Sequence, residues 1–241
     1  MDANAPQAAP NTRPAPAALG APPVGGAAPA YAPPPSEGDP PSDGRVARSR
    51  RTVDQIVEAL LELVERDGHL RPTAHQVARR AGVSRRGLYL HFESLEDLFA
   101  AAADRRARQV QASWQPPPGE GPLDQRISWF CGRWAPILEA LIPLRRAAAV
   151  HEPFSHQVAA TAARTRRWAR DTVEDSFEHE VAAVPDEERP ALVTALHEVA
   201  WCSAWDEQRR HGHDIEEAAE GMQRLLRALL ADAIDDMRHA S

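Results

Sequence analysis

From Thr52 onward no stretch alternates apolar and polar residues as a half-buried strand does. Apolar residues recur instead at the i, i+3, i+4 spacing of one helical face. That pattern leaves helix-on-helix packing as the way to bury them, and it predicts an all-α fold. Val53, Ile56, Val57, Leu60 and Val64 form the first such face, which Gly68 closes. Thr73-Ala74-His75-Gln76 reads as a capping box, in which the Thr and Gln side chains satisfy each other's unpaired backbone N–H groups. Its short helix turns Val77, Ala78 and Ala81 inward and stops at Gly82. Ser84 caps a helix running to about Phe92, and Ser94-Leu95-Glu96-Asp97 opens a longer one toward Gln111. After Pro116-Pro117-Pro118-Gly119, helices are expected at about 124–141, 144–151, 155–183, 187–211 and 215–238. Pro143, Pro153, Pro185 and Gly212 punctuate them, and Asp214 to Glu217 caps the last.

Charge divides the chain further. Residues 1–44 carry a net −3, residues 45–112 a net +4 and residues 113–241 a net −8. A basic segment beside an acidic one points to a polyanion as the partner of the former. Residues 1–44 also hold 12 of the 22 prolines and one aromatic residue, Tyr31, so they are expected to remain a disordered tail. Residues 45–112 then form one unit and residues 113–241 a second. Arg45, Arg48, Arg50 and Arg51 cluster just before the first periodic segment. They form either a solvated charge run or an arm reaching DNA phosphates or a minor groove.

Several function classes drop out. All 28 basic residues are Arg, so a Gly-Lys phosphate loop, a lysine Schiff base and a kinase-type lysine are excluded. Cys131 and Cys202 have no CxxC spacing, and no cofactor or metal is expected. The histidines of His151-Glu152-Pro153-Phe154-Ser155-His156 are five apart with a proline between, unlike a zinc-protease helix. His211-Gly212-His213 reads as a loop pair that arises by chance. With no Gly-x-Ser-x-Gly elbow and no nucleotide loop, no enzyme chemistry is anchored. No uncharged run approaches the roughly 18 residues of a membrane span, and the first residues lack a secretion signal, so a cytoplasmic location is expected.

The second and third helices with the Gly82 turn read as a helix-turn-helix. Ala78 permits close approach, Val83 fills the corner, and Leu88 packs back. Ser84, Arg85, Arg86, Tyr89, Leu90 and His91 are left on the outward side, where Arg can donate two hydrogen bonds to guanine in the major groove. Over residues 52–112, and most closely over Thr73 to Phe99 with HQVARRAGVSRRGLYLHFESLEDLF as its core, the sequence resembles the DNA-binding domain of the tetracycline-repressor (TetR) family of bacterial regulators. The resemblance implies phosphate contacts at Thr73, Tyr89 and His91. It implies reading of bases and phosphates at Ser84, Arg85 and Arg86. Two positions depart from the family: Gly87, often Thr or Ala there, and Leu95, often Lys. Leu95 cannot supply that charge, and the cluster from Arg45 to Arg51 is expected to compensate.

In the acidic half, Ala218, Met222, Leu225, Leu226, Leu229, Ala233 and Met237 make an apolar stripe, widened by Leu230 and Ile234. Leu192, Leu196, Val199 and Ala200 begin another. Either these faces pack within the chain or they form a four-helix interface in a homodimer, which the resemblance implies. All six tryptophans follow the basic segment, and at helical spacing such residues are core unless they line a cavity. The resemblance further implies a small-molecule effector in this half, with Phe130, Trp134, His151, Trp168, Trp201 and Trp205 as candidate lining residues. The expected function is a dimeric, ligand-released repressor on a palindromic double-stranded operator. A helical small-molecule-binding protein or enzyme with no DNA role, and a DNA-binding activator, stay open beside it.

Overall fold

Hydroxyl and carboxylate caps begin several of the helices where the sequence places them. Thr73 accepts from the Gln76 N–H at 3.3 Å while Gln76 Oε1 accepts from the Thr73 N–H at 2.8 Å. Ser84, Ser94 and Asp214 each accept from the backbone N–H three residues on. The structure, a computed structural model, describes residues 44–240. Its helices are α1 (Gly44–Glu65), α2 (Ala74–Arg80), α3 (Arg85–Tyr89), α4 (Leu95–Ser113), α5 (Leu123–His151), α6 (His156–Ser176), α7 (Glu178–Ala183), α8 (Arg189–Ala200), α9 (Cys202–Arg210) and α10 (Ile215–Ala240), with a 3-10 turn at Glu152–Phe154. There is no strand among the described residues, so the fold is all-α. None of the described helices is long and apolar enough to cross a membrane. The Pro-rich tail lies outside the described residues apart from Gly44, as does Arg45 as a side chain.

Two cores hold these helices. One gathers Ile56, Leu60, Val77, Leu88, Leu98 and Phe99 around the helix-turn-helix, and Leu144, Ala147 and Ala148 of α5 and Val158 of α6 close it. The other gathers Ile127, Phe130, Trp134 and Leu138 of α5 with Phe177, Leu196, Trp205, Met222, Leu226 and Leu230. α4 belongs to both, through Leu98, Phe99 and Ala102 at its start and Val110 near its end.

The structure departs from the expected boundaries at four places. α1 begins at Gly44, so Arg48, Arg50 and Arg51 occupy its first turns and are not an extended arm. Arginine is a good helix former, and Arg48 and Arg51 each donate to the carbonyl four residues back. α5 continues through Pro143, and through Pro136, because its buried face on both sides, Leu138 and Leu141 before and Leu144 and Ala147 after, is held by packing. The helix expected over 155–183 breaks at Phe177. Arg126 Nη2 takes the Ser176 carbonyl at the end of α6 at 3.0 Å, and the Arg126 fork pairs with both oxygens of Glu180 at 2.6 and 3.0 Å. The helix expected over 187–211 breaks at Trp201, whose backbone is extended. There the indole N–H of Trp134 donates to the terminal Ala200 carbonyl of α8 at 2.7 Å. In both breaks a helix-end carbonyl is satisfied by a side chain from α5.

His197 of α8 is 5% exposed and neither ring nitrogen has a hydrogen-bond partner. Burial pushes its pKa below 6.5, Glu198 opposes the shift, and Arg170 and Arg166 add to it. The unfolded chain therefore binds this proton more readily than the folded one. Stability falls as pH drops below about 6.5 toward the folded value, and the site contributes nothing to the slope once both states are neutral. His197→Leu is expected to flatten the pH dependence of urea-induced unfolding between about pH 7 and 5. An unchanged slope would contradict it.

Candidate nucleic-acid interface

Gly82 stands at φ +70°, a conformation that side chains with a Cβ rarely adopt, and this reverses the chain between α2 and α3. The turn is tied by Val83 N–H to the Ala78 carbonyl at 3.0 Å. Ala78 and Leu88 are buried between the helices, while Ser84, Arg85, Arg86, Tyr89 and Leu90 are exposed and His91 is half-buried. Sequence and structure thus agree on the outward residues from Ser84 to Leu90, while His91 is only partly outward. The Ser84 hydroxyl accepts from the Gly87 N–H at 2.9 Å, and a Cβ on Gly87 would lie 3.2 Å from that oxygen. The departure at Gly87 fits the close seating of the cap.

The exposed face is cationic. The Arg85 guanidinium lies 5.8 Å from the Tyr89 ring centroid, one helical turn on. Arg85, Arg86 and Arg79 have no acidic partner among the described residues, whereas Arg80 is bonded to Glu62 and Asp67. Those two carboxylates raise the Arg80 pKa and occupy its charge. At the start of α2 the Thr73 hydroxyl also donates to Gln76 Oε1 at 2.9 Å, so an anion docking there would replace a carboxamide oxygen. Arg48, Arg50 and Arg51 are exposed along α1.

An open groove of about 680 Å³ adjoins this face. Thr73, Arg85 and Tyr89 line it together with Arg71, His75 and Leu95, and Val150, His151 and Phe154 line it from the end of α5 and the 3-10 turn. Arg71 and His75 were not singled out from sequence. The signal was present: both flank the Thr73 cap, and no acid lies between Asp67 and Glu93.

Five of the six aromatic candidates of the acidic half gather in one core. Phe130, Trp134, Trp201 and Trp205 are buried in the second core, with Trp168 packed against it half-buried. Trp134 touches Trp114, Phe130 and Trp168 at centroid distances of 5.1, 5.4 and 5.4 Å, so its surroundings are ring against ring. Trp205 donates to Glu139 Oε1 at 2.6 Å. His151 stands apart, its ring 4.3 Å from that of Phe99 and its Nδ1 3.7 Å from a Glu96 oxygen. A small cavity of about 20 Å³ lies instead among α4, α5 and α6, lined by Ala103, Leu141, Arg145, Val158, Thr161 and Thr165 among others. On α10, Ala218, Met222, Leu226 and Leu230 are buried within the chain, Leu229 and Ala233 are half-buried, and Leu225 is 50% exposed. The side chains of Ile234 and Met237 lie outside the described residues.

Residues 56–102 match the sequence model of bacterial regulatory proteins of the tetR family. No curated protein matches the chain. Among solved structures, the chain is similar to a transcriptional regulator from Rhodococcus sp. Rha1, with a TM-score of 0.62 at 17% identity over 76% of this chain and 97% of that one. It is similar to a tetR-family transcriptional regulator from Streptomyces coelicolor, with a TM-score of 0.59 at 21% identity over 79% and 86% of the two chains. A TetR transcription regulator from Haloarcula marismortui gives 0.57 at 12% identity over 76% and 98%. The match over residues 56–102 and the all-helical fold shared with these solved regulators are therefore what this chain has in common with the tetR family of bacterial regulatory proteins.

Proposed function

We propose that this chain is a DNA-binding transcriptional regulator that acts as a homodimer on a palindromic operator and is released by a small-molecule effector. The observation that carries the reading is the exposed start of α3, where capped Ser84 is followed by Arg85 and Arg86 without acidic partners, on a helix held by a buried Leu88. Such a helix presents donors to base edges while its neighbours hold phosphates. Two copies would place their recognition helices about 34–36 Å apart, one turn of DNA, and the half-exposed Leu225 on α10 is the apolar surface offered to that pairing. An effector would bind better to the conformation in which this spacing is lost, and DNA affinity falls by the coupling free energy. The cavity against α4 supports this assignment of the effector's place, because α4 enters both cores. Opening it requires α4 and α6 to part, since its present volume suits about a single water.

Selection of bound fragments from random DNA by the purified protein, followed by salt titration of the best one, tests the reading. Recovery of an inverted repeat bound by a dimer, with affinity falling as salt rises, is expected. Failure to retain any duplex at low salt by a folded dimer would refute it. On the selected site, Arg86→Ala is expected to cost about 1–3 kcal/mol and to relax one base position. A loss equal on all sequences would make Arg86 a phosphate contact.

A further inference from the structure

We infer that the surface holding the DNA backbone does not end with the helix-turn-helix, and that Phe154 at the corner between α5 and α6 forms its second wall. This rests on the DNA-binding reading above. The groove beside α2 and α3 is built from both sides: Thr73, Arg71 and Arg85 supply polar and cationic groups, and Val150, His151 and Phe154 supply an apolar and aromatic edge. Phe154 is 87% exposed, so among the described residues its ring is open to a partner. The acid nearest to it in sequence, Glu152, is engaged by Arg145 at 3.1 Å and Arg166 at 3.9 Å, so its charge does not oppose an anion at this corner. Arg71 and Arg85 have no acidic partner among the described residues.

Charge and shape together select the occupant. Small ligands are held in cavities that bury most of their surface, whereas this groove is open along its length. An extended polyanion with alternating phosphates and apolar sugar edges fits two arginines on one side and a phenyl ring on the other. Thr73, Arg85 and Tyr89 line both the groove and the outward face of the helix-turn-helix, so a backbone seated there is continuous with the strand that α3 would read. Because the far wall belongs to the helices of the second half, any shift at the end of α5 would change the width of the seat.

The test uses the full chain and duplex DNA, both the selected operator and an unrelated sequence of equal length. Phe154→Ala is expected to weaken binding to both about fivefold with unchanged base preference, the scale of one truncated aromatic contact. Phe154→Glu is expected to weaken both by about tenfold or more at low salt, a loss that shrinks as salt rises. Because the ring is exposed, both variants should keep the melting temperature and dimer of the parent. Unchanged affinity for both variants at all salt concentrations, while Arg85→Ala still weakens binding, would overturn the second wall and leave the DNA-binding reading intact. Absence of DNA binding by the parent would overturn both. A change in oligomeric state with unchanged DNA affinity would assign the groove to a second copy of the chain and would also overturn the proposal.

Discussion

Glu180→Gln is expected to lower the free energy of unfolding by about 3–5 kcal/mol, because it leaves the Arg126 charge buried without its counter-ion. The pair is nearly dry, with the Arg126 side chain 7% and that of Glu180 9% exposed. Water cannot replace the lost carboxylate, and Arg126 Nε already has no partner. The neutral amide keeps the shape of the carboxylate, so the loss reads charge and hydrogen bonding more than packing. The double replacement Arg126→Met with Glu180→Leu should recover much of the stability, since apolar residues of similar volume need no pairing. It would still leave the Ser176 carbonyl, which Arg126 now satisfies at 3.0 Å, without that donor. Urea denaturation of the two variants decides the matter, and a loss below about 1 kcal/mol for Glu180→Gln would show that the site is wetter than its geometry indicates.

Trp134→Ala is expected to cost about 3–5 kcal/mol, the range for a buried aromatic. Trp134 is fully buried and ring contacts with Trp114, Phe130 and Trp168 surround it, so its removal opens a cavity walled by rigid rings that cannot collapse far. Trp134→Phe separates the two parts of that loss. It keeps most of the ring volume and removes the donor to the Ala200 carbonyl, at a cost of about 1–3 kcal/mol for the buried acceptor. If the two variants were equally destabilised, cavity formation would not be the dominant part. The prediction also bears on the effector, because a tryptophan packed this closely is a structural element of the core in this conformation.

The local signals in the sequence were read well where a residue's own neighbours determine its structure. Thr73 with Gln76, Ser84 with the Gly87 N–H, and Gly82 at positive φ involve groups within a few positions of each other, so the pattern of residue types is the interaction itself. The outward set from Ser84 to His91 follows from one inward residue, Leu88, and the helical period. Arg71 and His75 escaped that reading because what unites them with Tyr89 is a groove whose other wall comes from residues 150–154.

By itself, then, the sequence determined the capped helix starts at Thr73, Ser84, Ser94 and Asp214, the turn of the helix-turn-helix and the face α3 presents, because capping, glycine geometry and amphipathic spacing act over one or two helical turns. Tertiary structure alone decided that α5 continues through Pro143, that chain breaks fall at Phe177 and Trp201, and that Trp134, Trp201 and Trp205 fill a core. At the two breaks, helix-end carbonyls are satisfied by Arg126 and Trp134, residues 50 and 66 positions away in sequence. A hydrogen bond of that span depends on how helices pack, and no local pattern of residues encodes it.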